Sequence, residues 1–558
     1  MAPGLLAALL LLALSAAPRA SAALQYGSVI DAGSSGSRIF IFSWDARTFP
    51  SLPPPVTTPV EVVFDSQRVV EPGVDTPAGR EALPNLLELG RARLKALGLS
   101  PEDISAVPLY LKATAGMRML TEEARAAAMA EVRALLARGP FLFRPQWART
   151  ISGEEEGVSG WITANYNAGL LPGQPGQPGQ QQQQQQAPTL GALDLGGAST
   201  QITFAPPAGV DILSSSFDVR LTSAASISLY THSFLYYGQN EAARRVNELV
   251  VLASGMGAGA TIPHPCFLTG TPAAFLAFNS TTAGGLVTFE GASNWTACKA
   301  YVLPLMLRGA QCLTDPRPAL APWASASLAS RALQQQQRDF PPPPALPPIN
   351  PSPALNGSTC SVGGQYQAPL VPPSAFAAVA QPVRFMAFST YSNLYAALGL
   401  ARDVPLLQLR DVTAAYCALD FAGANASFPS ARGRFLFNYC FLGVFAETLL
   451  REGYGLNDTA SGIVTVAAPN SVSWALGAML YESNGLPFSL AAAAAASQAA
   501  TVTALAATLG VVLAAGAALG IVAWRRWPAS SLSAPYSSMT NPVHTAVGSK
   551  GGDLSPAS

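Results

Sequence analysis

The sequence predicts an α/β protein of two related lobes facing each other across a cleft, followed by a C-terminal membrane-spanning helix. Three observations predict this. An apolar strand, an Asp, a Gly/Ser loop and a second strand occur twice, around Asp31 and around Asp194. A helix-rich stretch follows each copy. Thr501 to Trp524 is a run without a charged residue, long enough to cross a hydrocarbon core of ~30 Å.

Residues 1–22 read as a signal peptide or an uncleaved signal anchor. Leu5 to Ala17 forms the apolar region and Ala20-Ser21-Ala22 a small-residue cleavage site. The first lobe is expected over 26–166, completed by about 464–488. Tyr26 to Ile30 and Ile39 to Phe42 are short apolar strands on either side of the Asp31 loop, which reads as a hairpin. Glu81 to Ala96 and Thr121 to Ala137 have helical spacing. In the second, Thr121 precedes Glu122-Glu123, an N-cap with acids in the first turn.

Residues 167–189 are a Gln/Pro/Gly insert whose composition cannot build a core. The second lobe is expected over 190–463, with a Pro/Gln-rich insert at 313–358. The membrane helix at 501–524 is followed at once by Arg525-Arg526, which places 525–558 in the cytosol and the large middle part outside it. All six cysteines, Cys266, Cys298, Cys312, Cys360, Cys417 and Cys440, lie in that middle part, as an oxidising compartment requires of disulfides. The sequons at Asn279, Asn294, Asn356, Asn425 and Asn457 lie there too. Thirty-two basic residues balance 32 acidic ones, so nothing points to a nucleic-acid partner. Without a C-x-x-C pair, a zinc site is not expected.

The loops carry the chemistry. In Asp31-Ala32-Gly33-Ser34-Ser35-Gly36-Ser37-Arg38, small residues let backbone N–H groups converge on one point, a nest for phosphate oxygens. Asp194-Leu195-Gly196-Gly197-Ala198-Ser199-Thr200-Gln201 repeats the set. An Asp in each can hold a hydrated divalent cation, so two facing nests would clamp a polyphosphate and its metal. Lys112-Ala113-Thr114-Ala115-Gly116-Met117-Arg118 adds a hydroxyl and a cation. Ile151-Ser152-Gly153-Glu154-Glu155-Glu156-Gly157 sets three acids among glycines, an unusual setting for a solvated patch.

These four segments resemble, in order and spacing, the conserved regions of the ecto-nucleoside triphosphate diphosphohydrolase (apyrase) family. Phe385-Met386-Ala387-Phe388-Ser389 and Ser473-Trp474-Ala475-Leu476-Gly477-Ala478-Met479-Leu480 resemble two further family motifs. The resemblance covers most of 26–490. It implies two ribonuclease-H-like lobes of the actin/Hsp70 type and hydrolysis of terminal nucleotide phosphates with Ca2+ or Mg2+. Carried over by position, Glu156 is the general base, while Ser199 and Gln201 hold the attacking water. Asp31 and Asp194 bind the cation through its water shell. Ser34, Ser35, Gly36, Thr114, Asp194, Gly196, Gly197 and Ala198 cradle phosphate. Arg118 is mainly structural, and Glu154 and Glu155 match no catalytic position.

The family's base-stacking Tyr is replaced by Asn393, with Tyr391 or Tyr395 as substitutes, and Arg434 stands near its partner position. Trp474 matches a residue lining the cleft. The resemblance pairs Cys417 with Cys440 and Cys266 with Cys312, leaving Cys298 and Cys360 for each other. It also implies nucleoside di- and triphosphates as partners and placement in the Golgi or at the cell surface. Base preference and oligomeric state stay open. A sugar kinase or chaperone ATPase of the same superfamily is opposed by the secretory topology and by Glu156-Gly157-Val158-Ser159-Gly160-Trp161. An inactive glycosylated receptor is opposed by the intact Asp31, Asp194, Glu156, Ser199 and Gln201.

Overall fold

A computed structural model describes residues 24–45, 48–49, 61–63, 70–171, 189–307 apart from 208, 213 and 221–225, parts of 359–370, 383–456 apart from 432, 463–465, parts of 473–490, and short stretches within 508–522. The expected signal segment, most of both low-complexity inserts, the tail, Asn356, Asn457 and Cys312 lie outside the described residues. Of the expected membrane helix only 508–510, 513–519 and 522 are described, and all are helical. Among the described residues no helix is long and apolar enough to cross a membrane. Residues 1–490 and 491–558 form separate units, and the described strands all belong to the first.

That first unit is mixed α/β, built on two sheets. In chain order the first sheet takes β1 (Leu24–Ala32), β2 (Ser37–Asp45), β3 (Glu61–Val63), β4 (Leu109–Ala113) and β5 (Ala148–Thr150). They lie in the order β3-β2-β1-β4-β5. Next come β6 (Gly191–Leu195), β7 (Ser199–Phe204), β8 (Ser216–Arg220) and β9 (Ser226–Leu235). A small sheet follows: β10 (Thr261–His264), β11 (Ala277–Ser280) and β12 (Gly285–Gly291). Then β13 (Phe385–Ser389) and β14 (Ile463–Thr465) return to the second sheet. Its order is β14-β13-β6-β7-β9-β8.

The repeat seen in the sequence is a repeat of topology. Each Asp ends or nears the end of a central strand, β1 or β6. That strand pairs antiparallel with the strand leaving its loop and parallel with a later one, β4 or β13. All but the first three residues of β1, and all of β4, β6 and β7, are buried. β4 and β6 accordingly read as largely apolar runs rather than as an alternation. The expected helix at 121–137 spans Glu122–Leu136, and the Thr121 hydroxyl accepts the Ala124 N–H as its cap.

Three helices shape the site: α1 (Gly153–Asn167), α2 (Gln239–Ser254) and α3 (Trp474–Ser483). Two of them stand between the sheets. α1 packs on β6, β7 and β9, whereas α3 packs on β1 and β2 and against α1. The contact of α1 with α3 depends on Gly477. Its N–H donates to the Thr163 hydroxyl at 2.8 Å, and that hydroxyl donates to Ser473 O at 3.1 Å. A β-carbon on Gly477 would lie inside contact distance of Ser159 O, a backbone atom that cannot rotate away. Overpacking of this kind costs about 1–3 kcal/mol. Gly477→Ala is therefore expected to lower the apparent Tm of the full-length protein by several degrees in differential scanning fluorimetry. An unchanged Tm would show that the two helices can part freely.

The disulfide expectation is corrected in part. Cys417–Cys440 is present, with Cα atoms 4.9 Å apart. Cys266, however, pairs with Cys298 across a Cα separation of 4.7 Å, not with Cys312, so Cys298 is not left for Cys360. The small sheet brings these two together. Its chain leaves at Cys266 and returns beside it, where Ala292 N–H donates to His264 O and Asn294 N–H to Pro265 O. His264 is wholly buried there. Its Nδ1 accepts the Cys266 N–H, which leaves the proton on Nε2 to be donated to Asn247 Oδ1.

Candidate active site

The two Asp loops meet at one cavity of about 140 Å³. From the first sheet Asp31, Ser34, Ser35, Arg38 and Thr114 line it; from the second, Asp194, Gly196, Gly197, Ala198 and Ser199. Glu156, from the first turn of α1, and Trp474, at the start of α3, also line it, as do Phe40, Asn393 and Gln239.

The backbone of the second loop is aimed by α2, the helix after β9. The N–H groups of Gln239 and Asn240 donate to the carbonyls of Gly196 and Gly197, at 2.9 and 2.8 Å. A trans peptide points its N–H opposite to its C=O. Turning those two carbonyls toward the helix therefore turns the N–H groups of Gly197 and Ala198 away from it, as an anion nest requires. Gly238 makes this approach possible. A β-carbon there would run into Ala198 N, Gly197 C and Ser199 N. In the first loop Gly33 N–H closes onto Gly36 O at 3.0 Å, which presents Ser34 and Ser35 at the tip. The loops nearly touch, since a β-carbon on Gly197 would lie 2.5 Å from the Ser34 hydroxyl.

Glu156 is 7% exposed and has two nitrogen donors on one oxygen. Arg118 Nη2 reaches its Oε2 at 2.9 Å, and Gln201 Nε2 reaches it at 3.1 Å. The same Arg118 nitrogen lies 3.0 Å from the Ser199 hydroxyl, and the Gln201 nitrogen 2.8 Å from it. Burial raises the Glu156 carboxyl above its ordinary range; the Arg118 guanidinium opposes this, and Glu154 adds to it. Glu155 turns the other way, to Arg149 and toward Lys112, which also pairs with Glu482 of α3. The three consecutive acids thus divide into a buried one in the cavity and neighbours outside it.

Burial also pushes Asp31 up to about 7, against the pull of Arg38 3.9 Å away and with a further push from Glu156. Asp194 is pushed up to about 7, first by burial and then by Glu156, while the Ser389 hydroxyl pulls it down. Asp194 Oδ1 is buried without a hydrogen-bond partner. Three carboxylates face one cavity with two guanidiniums near them, a donor set that fits a hydrated divalent cation. Among the described residues no three His, Cys, Asp or Glu side chains converge to hold a metal directly.

Other sequence-derived positions are distributed as follows. Gln201 is buried behind the cavity, its amide nitrogen on Glu156, Ser199 and Ser233. Gly36 closes its loop from behind. Tyr391 and Tyr395, expected as substitutes for the stacking Tyr, do not line this cavity. The helix Thr390–Ala397 starts directly after β13, and residues four apart share its core-facing side. Both rings are buried there, and Asn393 faces the cavity instead. The Arg434 backbone lies in a 3-10 helix, Gly433–Asn438, and its side chain is outside the described residues. Sequence reasoning gave Arg38 no role of its own and missed Phe40 and Gly238. For Arg38 a signal existed: it stands directly across the β1–β2 hairpin from Asp31, so both side chains share one face.

Two small-residue loops, two Asp carboxylates and a third buried carboxylate held by an arginine meet at one cavity, an arrangement suited to phosphate hydrolysis. Comparison with known proteins gives it a family. A model of the GDA1/CD39 (nucleoside phosphatase) family matches residues 19–320 and 365–498, and the chain belongs to that family. It is a nucleoside phosphatase. It is 32% identical over 505 residues to human ectonucleoside triphosphate diphosphohydrolase 2, covering 87% of this chain and 88% of that protein. It is 30% identical over 485 residues to bovine ectonucleoside triphosphate diphosphohydrolase 8, covering 83% of each. With mouse ectonucleoside triphosphate diphosphohydrolase 1 it shares 27% over 489 residues, covering 83% of this chain and 82% of that one.

Proposed function

We propose that this nucleoside phosphatase removes terminal phosphates from nucleoside tri- and diphosphates by direct attack of water, in the secretory lumen or outside the cell. The observation that carries this is Glu156: a buried carboxylate, held by Arg118, in the cavity that both Asp loops line. We read the two sheets as two ribonuclease-H-like lobes, 26–166 with 464–488 and 190–463, joined through α1 and α3.

Glu156 Oε2 is saturated by Arg118 and Gln201, leaving Oε1 to accept a proton from water. The Arg118 guanidinium opposes the effect of burial and so favours the ionised carboxylate that a general base must present. Ser199 and Gln201 fix the carboxylate and the water beside it. The N–H groups of Gly197 and Ala198, with Ser34, Ser35 and Thr114, would hold the phosphate oxygens in line for displacement. A bound Ca2+ or Mg2+ would be held by Asp31 and Asp194 through its water shell and would neutralise phosphate charge. The water oxygen bonds to the terminal phosphorus as the bridging P–O bond breaks, and the shortened nucleotide leaves. Phosphate release by the full-length protein from ATP, ADP, UDP and GDP, with Ca2+ or Mg2+, tests the reading. Absence of release from all four would overturn it.

The raised acids predict a stability profile. Asp31 and Asp194 bind protons more tightly folded than unfolded, so their contribution to stability is full below about pH 4 and is lost as pH rises through about 7. In chelator, Tm should fall between about pH 5 and about pH 8. Ca2+ competes with protons for the same oxygens, so it should raise Tm more at the higher pH. An equal rise at both would take the cation away from this pair.

A further inference from the structure

Ser389 joins β13 to the helix Thr390–Ala397 in a backbone conformation that its side chain disfavours. Its φ is 58° and its ψ −123°, outside the left-handed helical well that residues other than glycine tolerate. Serine is a preferred helix cap because, from extended backbone, its oxygen accepts an N–H of the first turn. Ser389 stands at the cap position and makes no such bond. Its conformation is held from both sides. Before it, β13 is locked to β6, with Phe388 beside Asp194 and Ser389 beside Leu195. Phe388 is fully buried, and a β-carbon on Gly160 of α1 would come within 2.8 Å of its ring. After it, the Ser392 hydroxyl donates to Ala387 O at 3.2 Å, tying the helix back to the strand. Strain of this kind persists only where its surroundings over-determine it. Four described residues other than glycine have positive φ: Ser215, Tyr236, Ser293 and Ser389. Of these four, Ser389 alone lines the catalytic cavity.

We propose that Ser389 is a positioning residue for the cation: its strained turn is kept because it aims the hydroxyl at Asp194 and leaves the free oxygen of that carboxylate to a hydrated cation. The inference rests on the reading that Asp194 binds the cation. Two observations meet here. The hydroxyl that does not cap the helix is hydrogen-bonded to the Asp194 carboxylate, and Oδ1 of that carboxylate is buried without a partner. A serine in extended backbone would spend its oxygen on the helix. A glycine would relax the turn and supply no donor. Groups that hold a ligating carboxylate from behind set its orientation, and their loss costs roughly 10–100-fold in metal affinity.

The test compares two variants of the full-length protein. Ser389→Ala removes the hydroxyl and keeps the strain, whereas Ser389→Gly removes both. Melting in chelator and across titrations of Ca2+ and of Mg2+ gives the cation concentration needed for half of the Tm rise. Phosphate release from ATP over the same titrations gives the cation dependence of turnover. Both variants should need about tenfold more cation in both measurements, and the loss should lie in that dependence more than in kcat at saturating cation. In chelator, Ser389→Gly should melt about 1 °C or more above Ser389→Ala. A parent that responds to cation, beside variants with unchanged half-saturation, overturns the inference alone. A parent whose Tm and turnover ignore both cations overturns the cation reading and the inference with it. A shift in Ser389→Ala that is absent from Ser389→Gly assigns the effect to the backbone and overturns the role of the hydroxyl. A chelator Tm of Ser389→Gly no higher than that of Ser389→Ala overturns the strain.

Discussion

Glu156→Gln is expected to lower kcat by roughly 10²–10⁴-fold, the usual contribution of a positioned general base. The carboxamide keeps the volume and can still accept from Arg118, so the cavity and its nucleotide affinity should persist. What it cannot do is take the water proton. Steady-state phosphate release would show a collapse of kcat with KM little changed, and binding of ATP with Ca2+ should be retained. Glu154→Gln is the control, since Glu154 does not line the cavity, and it should leave kcat near the parent value. Parent-like turnover in Glu156→Gln would remove this residue from the role.

Gly238→Ala is the second large effect, at a position that never touches substrate. Its φ of −73° suits any residue, so conformational strain is not the cause. The cause is space: the added carbon would meet three backbone atoms of the Asp194 loop at once. The helix start and the loop must move apart, which loosens the bonds from Gln239 and Asn240 that aim the nest. A displacement near 1 Å can cost about 10²-fold in rate. We expect kcat/KM for nucleotide to fall by about that factor and the cation requirement to rise. Gly257→Ala is the matched control, because nothing lies within 4 Å of a carbon added there. Equal effects at the two positions would mean the loss is global.

Much of the site is legible in the chain. Strand, Asp and small-residue loop form a local unit: the hairpin register follows from the few residues of its turn, and that register carries Asp31 and Asp194 to loop mouths. The Thr121 cap is readable for the same reason. The segment around Glu156 is not readable as a helix. α1 is buried on every side from Glu156 to Asn165, lying between a sheet and another helix, so it lacks the polar face that gives a helix its period. Its polar residues read as loop chemistry for want of that pattern.

The two Asp loops are written in a few consecutive residues each, whereas Glu156 was joined to them through the family resemblance of its segment. Which groups meet depends on packing between parts remote along the chain. Arg118 is bound to Glu156 across 38 positions. Gly238 shapes a nest that begins more than 40 residues earlier. Cys266 finds Cys298 because a small sheet folds the chain back on itself. Tyr391 is taken into the core by the helix phase set at Ser389. In each case the deciding quantity is a distance between parts remote along the chain, fixed by how sheets and helices pack.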